Sequence, residues 1–214
     1  MPIEDEALIL RRVPWRESSW VVHALCAEHG HVALVAKGAR RLKSPLRGAL
    51  EPLHAVWLGF RPGKRGMGLL VRAVRGEALM PPERWPEGLA ILAVAARAFP
   101  EGSPCGYRET RAALEVAAHA DARVALVAGV WRLLAEAGWI GALDRCWQCG
   151  APALPPRLAQ AGLACARCAP GLSVLTPEMR AALLEGKAAS EQALARLRRW
   201  LAGLLRGHGI AAEL

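Results

Sequence analysis

The amino-acid sequence predicts a multidomain chain of mixed α and β class: a β-barrel first, an α-helical domain after it, and a small four-cysteine module inserted in the helical part. Three observations carry this. Short apolar and β-branched runs bounded by glycine or proline fill residues 7–79. The hydrophobic period lengthens to that of helices after Pro81-Pro82. Two Cys-x-x-Cys pairs stand 15 residues apart between Cys146 and Cys168. With 214 residues and 53% hydrophobic composition the chain has material for packed cores. The expected domains are 1–80 and 81–214, with the module at 144–170.

Five runs fit strands: Ala7 to Val13, Ser19 to Ala27, His31 to Ala36, Leu53 to Phe60 and Leu69 to Leu79. Gly30, in Glu28-His29-Gly30-His31, stands where a tight hairpin needs a left-handed residue. Helical candidates follow at Glu83 to Phe99, Tyr107 to Ala120 and Asp121 to Ala137. In the last of these, Val124, Val127, Val130, Trp131, Leu134 and Ala137 form a core face, and Gly138 ends the run. Thr176-Pro177-Glu178 reads as an N-cap with proline at the first helical position, opening a helix to about Glu185. Another helix begins near Ser190, with Leu194, Leu197, Leu201 and Leu204 as its apolar stripe. A solvated face accounts for Arg196, Arg199 and Arg206 along it.

The charge is the first functional signal. Lys and Arg exceed Asp and Glu by nine, and the first 80 residues hold 13 bases against 7 acids, which favours an anionic partner. Only four of the 28 bases are lysine; Arg suits phosphate oxygens, although an arginine-rich genome gives the same bias. Lys37, Arg40, Arg41, Lys43 and Arg47 share one acid-free loop, and Arg61, Lys64 and Arg65 share another. Five short strands with basic connections match the plan of an OB barrel, a fold that binds oligonucleotides. Those eight residues are the candidate phosphate contacts. Trp15, Trp20 and Trp57 offer stacking surfaces if they stand outside the barrel, and core if they do not.

Six cysteines in a chain read as cytoplasmic are expected to be reduced, so their clustering is the informative property. Cys146-Trp147-Gln148-Cys149 and Cys165-Ala166-Arg167-Cys168 have the spacing of a four-thiolate zinc site. Such a site is closed to water and therefore structural, with a disulfide pair or an iron–sulfur cluster as the alternatives. Gly150 and Ala169 follow the knuckles, where small residues let amides turn toward the sulfurs, and Arg145 and Arg167 offset the thiolate charge. Cys26 and Cys105 read as small buried hydrophobes.

Catalytic motifs are missing. Gly59-Phe60-Arg61-Pro62-Gly63-Lys64-Arg65 has three residues between its glycines where a phosphate-binding loop needs four, and lacks the hydroxyl residue. The only aspartates, Asp5, Asp121 and Asp144, are too scattered in sequence to suggest magnesium-dependent nuclease or polymerase chemistry. His29 and His31, flanking a hairpin glycine, read as surface polar residues. The chain is expected not to be an enzyme and to take no small-molecule substrate. Its longest apolar stretches fall short of a membrane span, and Glu4, Asp5 and Glu6 occupy the place of a basic signal region.

Pro14-Trp15-Arg16-Glu17-Ser18-Ser19, Glu28-His29-Gly30, Val35-Ala36-Lys37-Gly38-Ala39-Arg40-Arg41 and Leu46-Arg47-Gly48-Ala49-Leu50-Glu51-Pro52 together resemble the N-terminal domain of the RecO family of bacterial recombination mediators. The cysteine pattern is similar to that of its zinc-binding members. The resemblance implies a DNA repair protein that binds single- and double-stranded DNA and anneals complementary strands. It also implies RecR and single-stranded DNA-binding protein as partners in loading RecA. Two rival classes stay open on the residues alone: an OB-fold and zinc-ribbon RNA-binding factor of translation or transcription, and a non-catalytic scaffold whose basic loops are merely solvated. Preference for DNA over matched RNA separates the first from a DNA binder, because the 2′-hydroxyl is the main group RNA adds.

Overall fold

The computed structural model describes residues 2–63, 66–212 and 214. Packing divides the chain into two compact units, Met1–Arg111 and Ala112–Leu214.

The first unit is built on five strands: β1 (Ile3–Trp15), β2 (Ser19–Cys26), β3 (Gly30–Ala36), β4 (His54–Gly63) and β5 (Gly66–Ala78). They close in the order β1-β2-β3-β5-β4, the connectivity of an OB barrel. β1 serves two neighbours. Ile3 to Leu8 pair with β4 and Ala7 to Trp15 pair with β2, with a bulge between Ile9 and Arg11 that lets the strand curl from one to the other. Closure is made by a short parallel contact, Leu34 with Gly68 and Val35 with Leu69. Gly68 permits it: a Cβ there would lie 2.7 Å from the Arg61 carbonyl and 2.8 Å from Leu34 Cδ2.

Ala7, Ile9, Val22, Ala24, Leu34, Val56, Leu58 and Phe60 fill the barrel. Each strand sends alternate side chains inward, as a two-residue period requires. Gly30 has φ +62°, and a Cβ on it would meet the Ser103 carbonyl oxygen at 1.9 Å. That carbonyl accepts from the His31 amide at 2.9 Å, so the hairpin is docked as well as turned. The strand expected over Ala7 to Val13 begins four residues earlier, because Asp5 faces inward: it is 3% exposed and accepts from the amides of Glu28 and His29, both at 3.1 Å. A five-residue helix inside the basic loop, α1 (Pro45–Ala49), is too short for its period to show in the sequence. Helix α2 (Trp85–Ala98) follows a 3-10 turn, Pro82–Arg84, and belongs to this unit; its Gly88 abuts Leu53 and Met80 so closely that a Cβ would clash with both.

α3 (Tyr107–His119) runs from the first unit into the second. The second unit continues with α4 (Ala125–Glu136), the hairpin of β6 (Arg157–Ala159) and β7 (Gly162–Ala164), α5 (Pro177–Glu185) and α6 (Glu191–Gly207). In α4 the expected face is buried at Val124, Val127, Val130, Trp131 and Leu134, with Leu133 and Ala128 joining it. Gly138 takes φ +72° at its end. Thr176 Oγ1 accepts from the Met179 amide and Ser190 Oγ from that of Ala193, so both expected caps are made. Leu194, Leu197, Leu201 and Leu204 are buried, and Trp200 stacks on Trp131 at 5.7 Å between ring centres. Among the described residues no helix is long and apolar enough to cross a membrane.

Candidate functional site

The basic loop leaves β3 at Lys37 and is pinned at its start. Ala39 is fully buried, the Arg40 amide donates to the Ser18 carbonyl at 2.9 Å, and the Gly38 amide donates to Ser19 Oγ at 3.3 Å. The loop therefore lies against the turn between β1 and β2. Lys37, Arg40, Arg41, Lys43 and Arg47 are all exposed, and among the described residues none of them forms an ion pair. Arg40 is the most constrained, because its Nη1 donates to the Arg16 carbonyl at 3.0 Å. Arg61 is exposed on β4 opposite Leu69, which pairs with Val35, two residues before Lys37. One strand thus separates Arg61 from the strand end that launches the loop. Lys64 and Arg65 lie outside the described residues.

The tryptophans divide. Trp15, next to the β1–β2 turn, is 40% exposed, and Trp57 is 55% exposed on β4, so neither belongs to the barrel core. Trp20 is half-buried against the core, and the Arg12 guanidinium sits 4.8 Å above its ring. Trp57 pairs with Glu6, nine residues along β1 from Trp15, or roughly 30 Å of strand, so the two rings belong to different patches.

Two expectations about single residues are corrected. His31 is not a surface residue: it is 4% exposed with Nδ1 2.6 Å from the Phe99 carbonyl oxygen, because the hairpin glycine docks this strand end against the segment after α2. His29 does remain exposed, with Nδ1 2.7 Å from Asp5 Oδ2. Cys105 is exposed in the loop before α3, whereas Cys26 is buried and its thiol is pushed up to about 12, by burial first and by the Asp5 charge second. A thiol held protonated this way has little nucleophilic character.

Cys146, Cys149, Cys165 and Cys168 come together. Their four sulfurs lie within 4.8 Å of one another, and Cys149 Sγ is 3.8 Å from Cys165 Sγ. A tetrahedron with metal–sulfur bonds of about 2.3 Å has edges of about 3.8 Å, so the four cysteines could hold a metal ion. Backbone bonds build the two knuckles: the Gly150 amide donates to the Cys146 carbonyl and that of Ala169 to the Cys165 carbonyl. The expected amides toward sulfur are therefore supplied from within the knuckles. The Cys165 amide above all, with those of Cys149 and Gln148, lowers the Cys146 thiol to about 6, and the Cys168 amide chiefly lowers that of Cys165. The hydrogen bonds from Cys149 and then Cys165 push Cys168 up to about 12. Four thiols this close resist full ionisation unless a cation compensates them, which fits the donor set to a soft tetrahedral metal. Arg167 takes up part of the charge beside Cys149, while Arg145 donates instead to the Gly150 carbonyl. The Trp147 amide donates to the Leu163 carbonyl at 2.9 Å and ties the first knuckle to β7.

Two family models match this chain, one described as Recombination protein O N terminal over residues 1–74 and one described as Recombination protein O C terminal over residues 83–208. The chain belongs to the RecO family. Membership gives it a general role in DNA repair and recombination, with DNA and repair proteins as its general class of partners. The RecO N-terminal match covers the OB barrel into β5 and includes the basic loop; the RecO C-terminal match covers α2, the cysteine module and all of α6. Sequence reasoning missed Asp5 in the RecO barrel. The signal was present, since Asp5, Ala7 and Ile9 alternate in step, but the acidic run around it reads as solvated surface.

Proposed function

We propose that this chain is a recombination mediator that binds single- and double-stranded DNA without sequence preference and anneals complementary strands. With RecR it helps load RecA onto DNA coated by single-stranded DNA-binding protein, working in the cytoplasm at the nucleoid. The observation that carries this reading is the basic loop: Lys37, Arg40, Arg41, Lys43 and Arg47 project from one end of an OB barrel, free of ion pairs among the described residues, in a RecO-family chain. Arg61 extends that surface, with Lys64 and Arg65 next to it in sequence. Cations outside any internal ion pair are available to phosphates, and each phosphate neutralised releases condensed counterions, which drives binding. Trp15 stands beside the loop as a stacking face.

The four cysteines hold one zinc ion, which cross-links the two knuckles and leaves no position open for water, so it folds the module and catalyses nothing. Annealing makes and breaks no covalent bond. A cationic surface that holds one strand lowers its repulsion toward the complementary strand while bases search for register, so the protein acts as a non-enzymatic partner and needs no nucleotide.

A strand-annealing time course on naked oligonucleotides without ATP tests this. Annealing accelerates with the wild-type chain and slows when Arg40 and Arg41 are both replaced by Ala. No acceleration by the wild type refutes the reading.

A further inference from the structure

A cavity of about 530 Å³ in the second unit lies between the β6–β7 hairpin and α6. Its volume falls within the range of about 300–1,000 Å³ of ligand clefts. Arg196, Arg199 and Arg206 line one side of it, and Gln160 and Ser173 add neutral hydrogen-bonding groups on the other. Among the described residues no acidic side chain lines the cavity, and none of the three arginines is in an ion pair. A solvated helix face alone does not explain why all three arginines line one cavity.

The wall is fixed. Trp200 Nε1 donates to the Ala159 carbonyl at 2.8 Å, joining α6 to the cysteine module, and Arg157 Nη1 donates to the Leu172 carbonyl at 2.7 Å from the opposite rim. Gly203 keeps the helix surface low in the middle of the arginine row.

We propose that this cavity is a second nucleic-acid site, which takes the phosphodiester backbone of a strand. The inference rests on the DNA-binding reading above and extends it from one site to two. Three features select a chain of phosphates. From Arg196 to Arg206 is about 15 Å of helix, which is longer than a single phosphate and spans several phosphates of one strand. All three bases are arginine, whose fork grips phosphate oxygens in pairs. Besides the small Ala159, the apolar lining is Leu158, Leu172 and Trp200; Trp200 is only 7% exposed with its ring nitrogen engaged, so the α6 wall offers charge rather than an apolar anchor. A second site also supplies what annealing by one chain needs, a place for each strand.

The test is a stoichiometric titration of the full chain with a labelled oligothymidylate at low salt, beside annealing of naked complementary strands. The wild type saturates at two strands per chain. The Arg196→Ala, Arg199→Ala variant saturates at one, keeps the tighter site within about twofold, lowers the salt slope of the weaker phase by about 2 and anneals about tenfold more slowly. The Arg196→Lys, Arg199→Lys variant keeps a weakened second site, which separates lost charge from lost packing. Zinc content and melting temperature stay at the wild-type values in both, because Arg196 is half-buried and Arg199 exposed. Unchanged saturation and annealing in the Ala variant overturn the proposal. So does competition at this site by an acidic, apolar-ended peptide while strand saturation ignores the arginines. If the wild type saturates at one strand and the Arg40→Ala, Arg41→Ala variant at none, the second site falls and the DNA-binding reading stands; if the wild type binds no strand at all, that reading itself has failed.

Discussion

At Cys149 a single sulfur completes the cysteine cluster that the proposed metal would cross-link. Its Sγ stands 3.8 Å from Cys165 Sγ and shares the cluster with Cys146 and Cys168. Cys149→Ser replaces a thiolate by a hydroxyl that a soft metal ligates poorly, so bound zinc falls well below one per chain and the melting temperature drops. Metal analysis and a thermal melt of the purified protein check both, and full zinc with an unshifted melt contradicts the site. The spacing alone predicted that these four cysteines come together, because two Cys-x-x-Cys turns impose their own local geometry. His23 shows the opposite case. Its pKa is lowered from 6.5 by burial first, then by Arg11 and His31, with Glu101 opposing. The unfolded chain therefore takes this proton before the folded one does. Stability is full above pH 6.5 and declines as pH falls below it, until the folded protein also binds the proton. The His23→Gln variant shows a flatter decline in that window, which chemical denaturation at a series of pH values measures. Nothing in the sequence marked His23, because its environment is made by Arg11 across the β1–β2 ladder and by the ring of His31 at 5.5 Å.

Among the elements, the loop from Lys37 to Arg47 carries the proposed binding. Its Ala39 anchor and the Arg40 amide to Ser18 hold it in place, so under the proposed function its bases meet phosphate without the full cost of ordering a free loop. Replacing Arg40 and Arg41 by Ala weakens binding to unrelated oligonucleotides alike and lowers the salt slope by about 1 to 2. A salt-dependent titration reads this, and loss restricted to one base sequence points to direct readout instead. Strands were legible as short apolar and β-branched runs between turns, and β2 and β3 are buried along most of their length. Three pieces escaped that signal. The start of β1 carries acids on both sides of the inward-facing Asp5, α1 has only five residues, and β6 and β7 have three each, too few for any period to register. The cavity beside α6 was equally hidden. The sequence places Arg196, Arg199 and Arg206 on a helix, but only the hairpin tied down by Trp200 turns that face into a wall.

At the scale of the molecule, the two units have different sources of stability. The first closes a barrel on an apolar core; the second packs helices and a metal-ready cysteine cluster. Pro81-Pro82 marks the change of period and the family matches part between residues 74 and 83, whereas packing divides at Arg111, because α2 folds back onto Leu53 and Met80 of the first unit. The proposed mediator role asks more of the whole chain than strand affinity does. Single-stranded DNA-binding protein covers the phosphates that the basic loop would contact, so a chain acting through charge alone must compete for each one and loses that contest as salt rises. A mediator that contacts the coating protein directly holds a raised local concentration beside the strand and captures phosphates as they are transiently released. The expected outcome is that annealing of coated complementary strands persists without nucleotide at a salt concentration where the loop's affinity for naked strands has already fallen about tenfold. A fluorescence time course comparing naked and coated strands across a salt series measures it. If coated strands stop annealing at the same salt as naked ones weaken, binding is electrostatic only and the mediator role fails, while the basic loop keeps its function as a DNA contact.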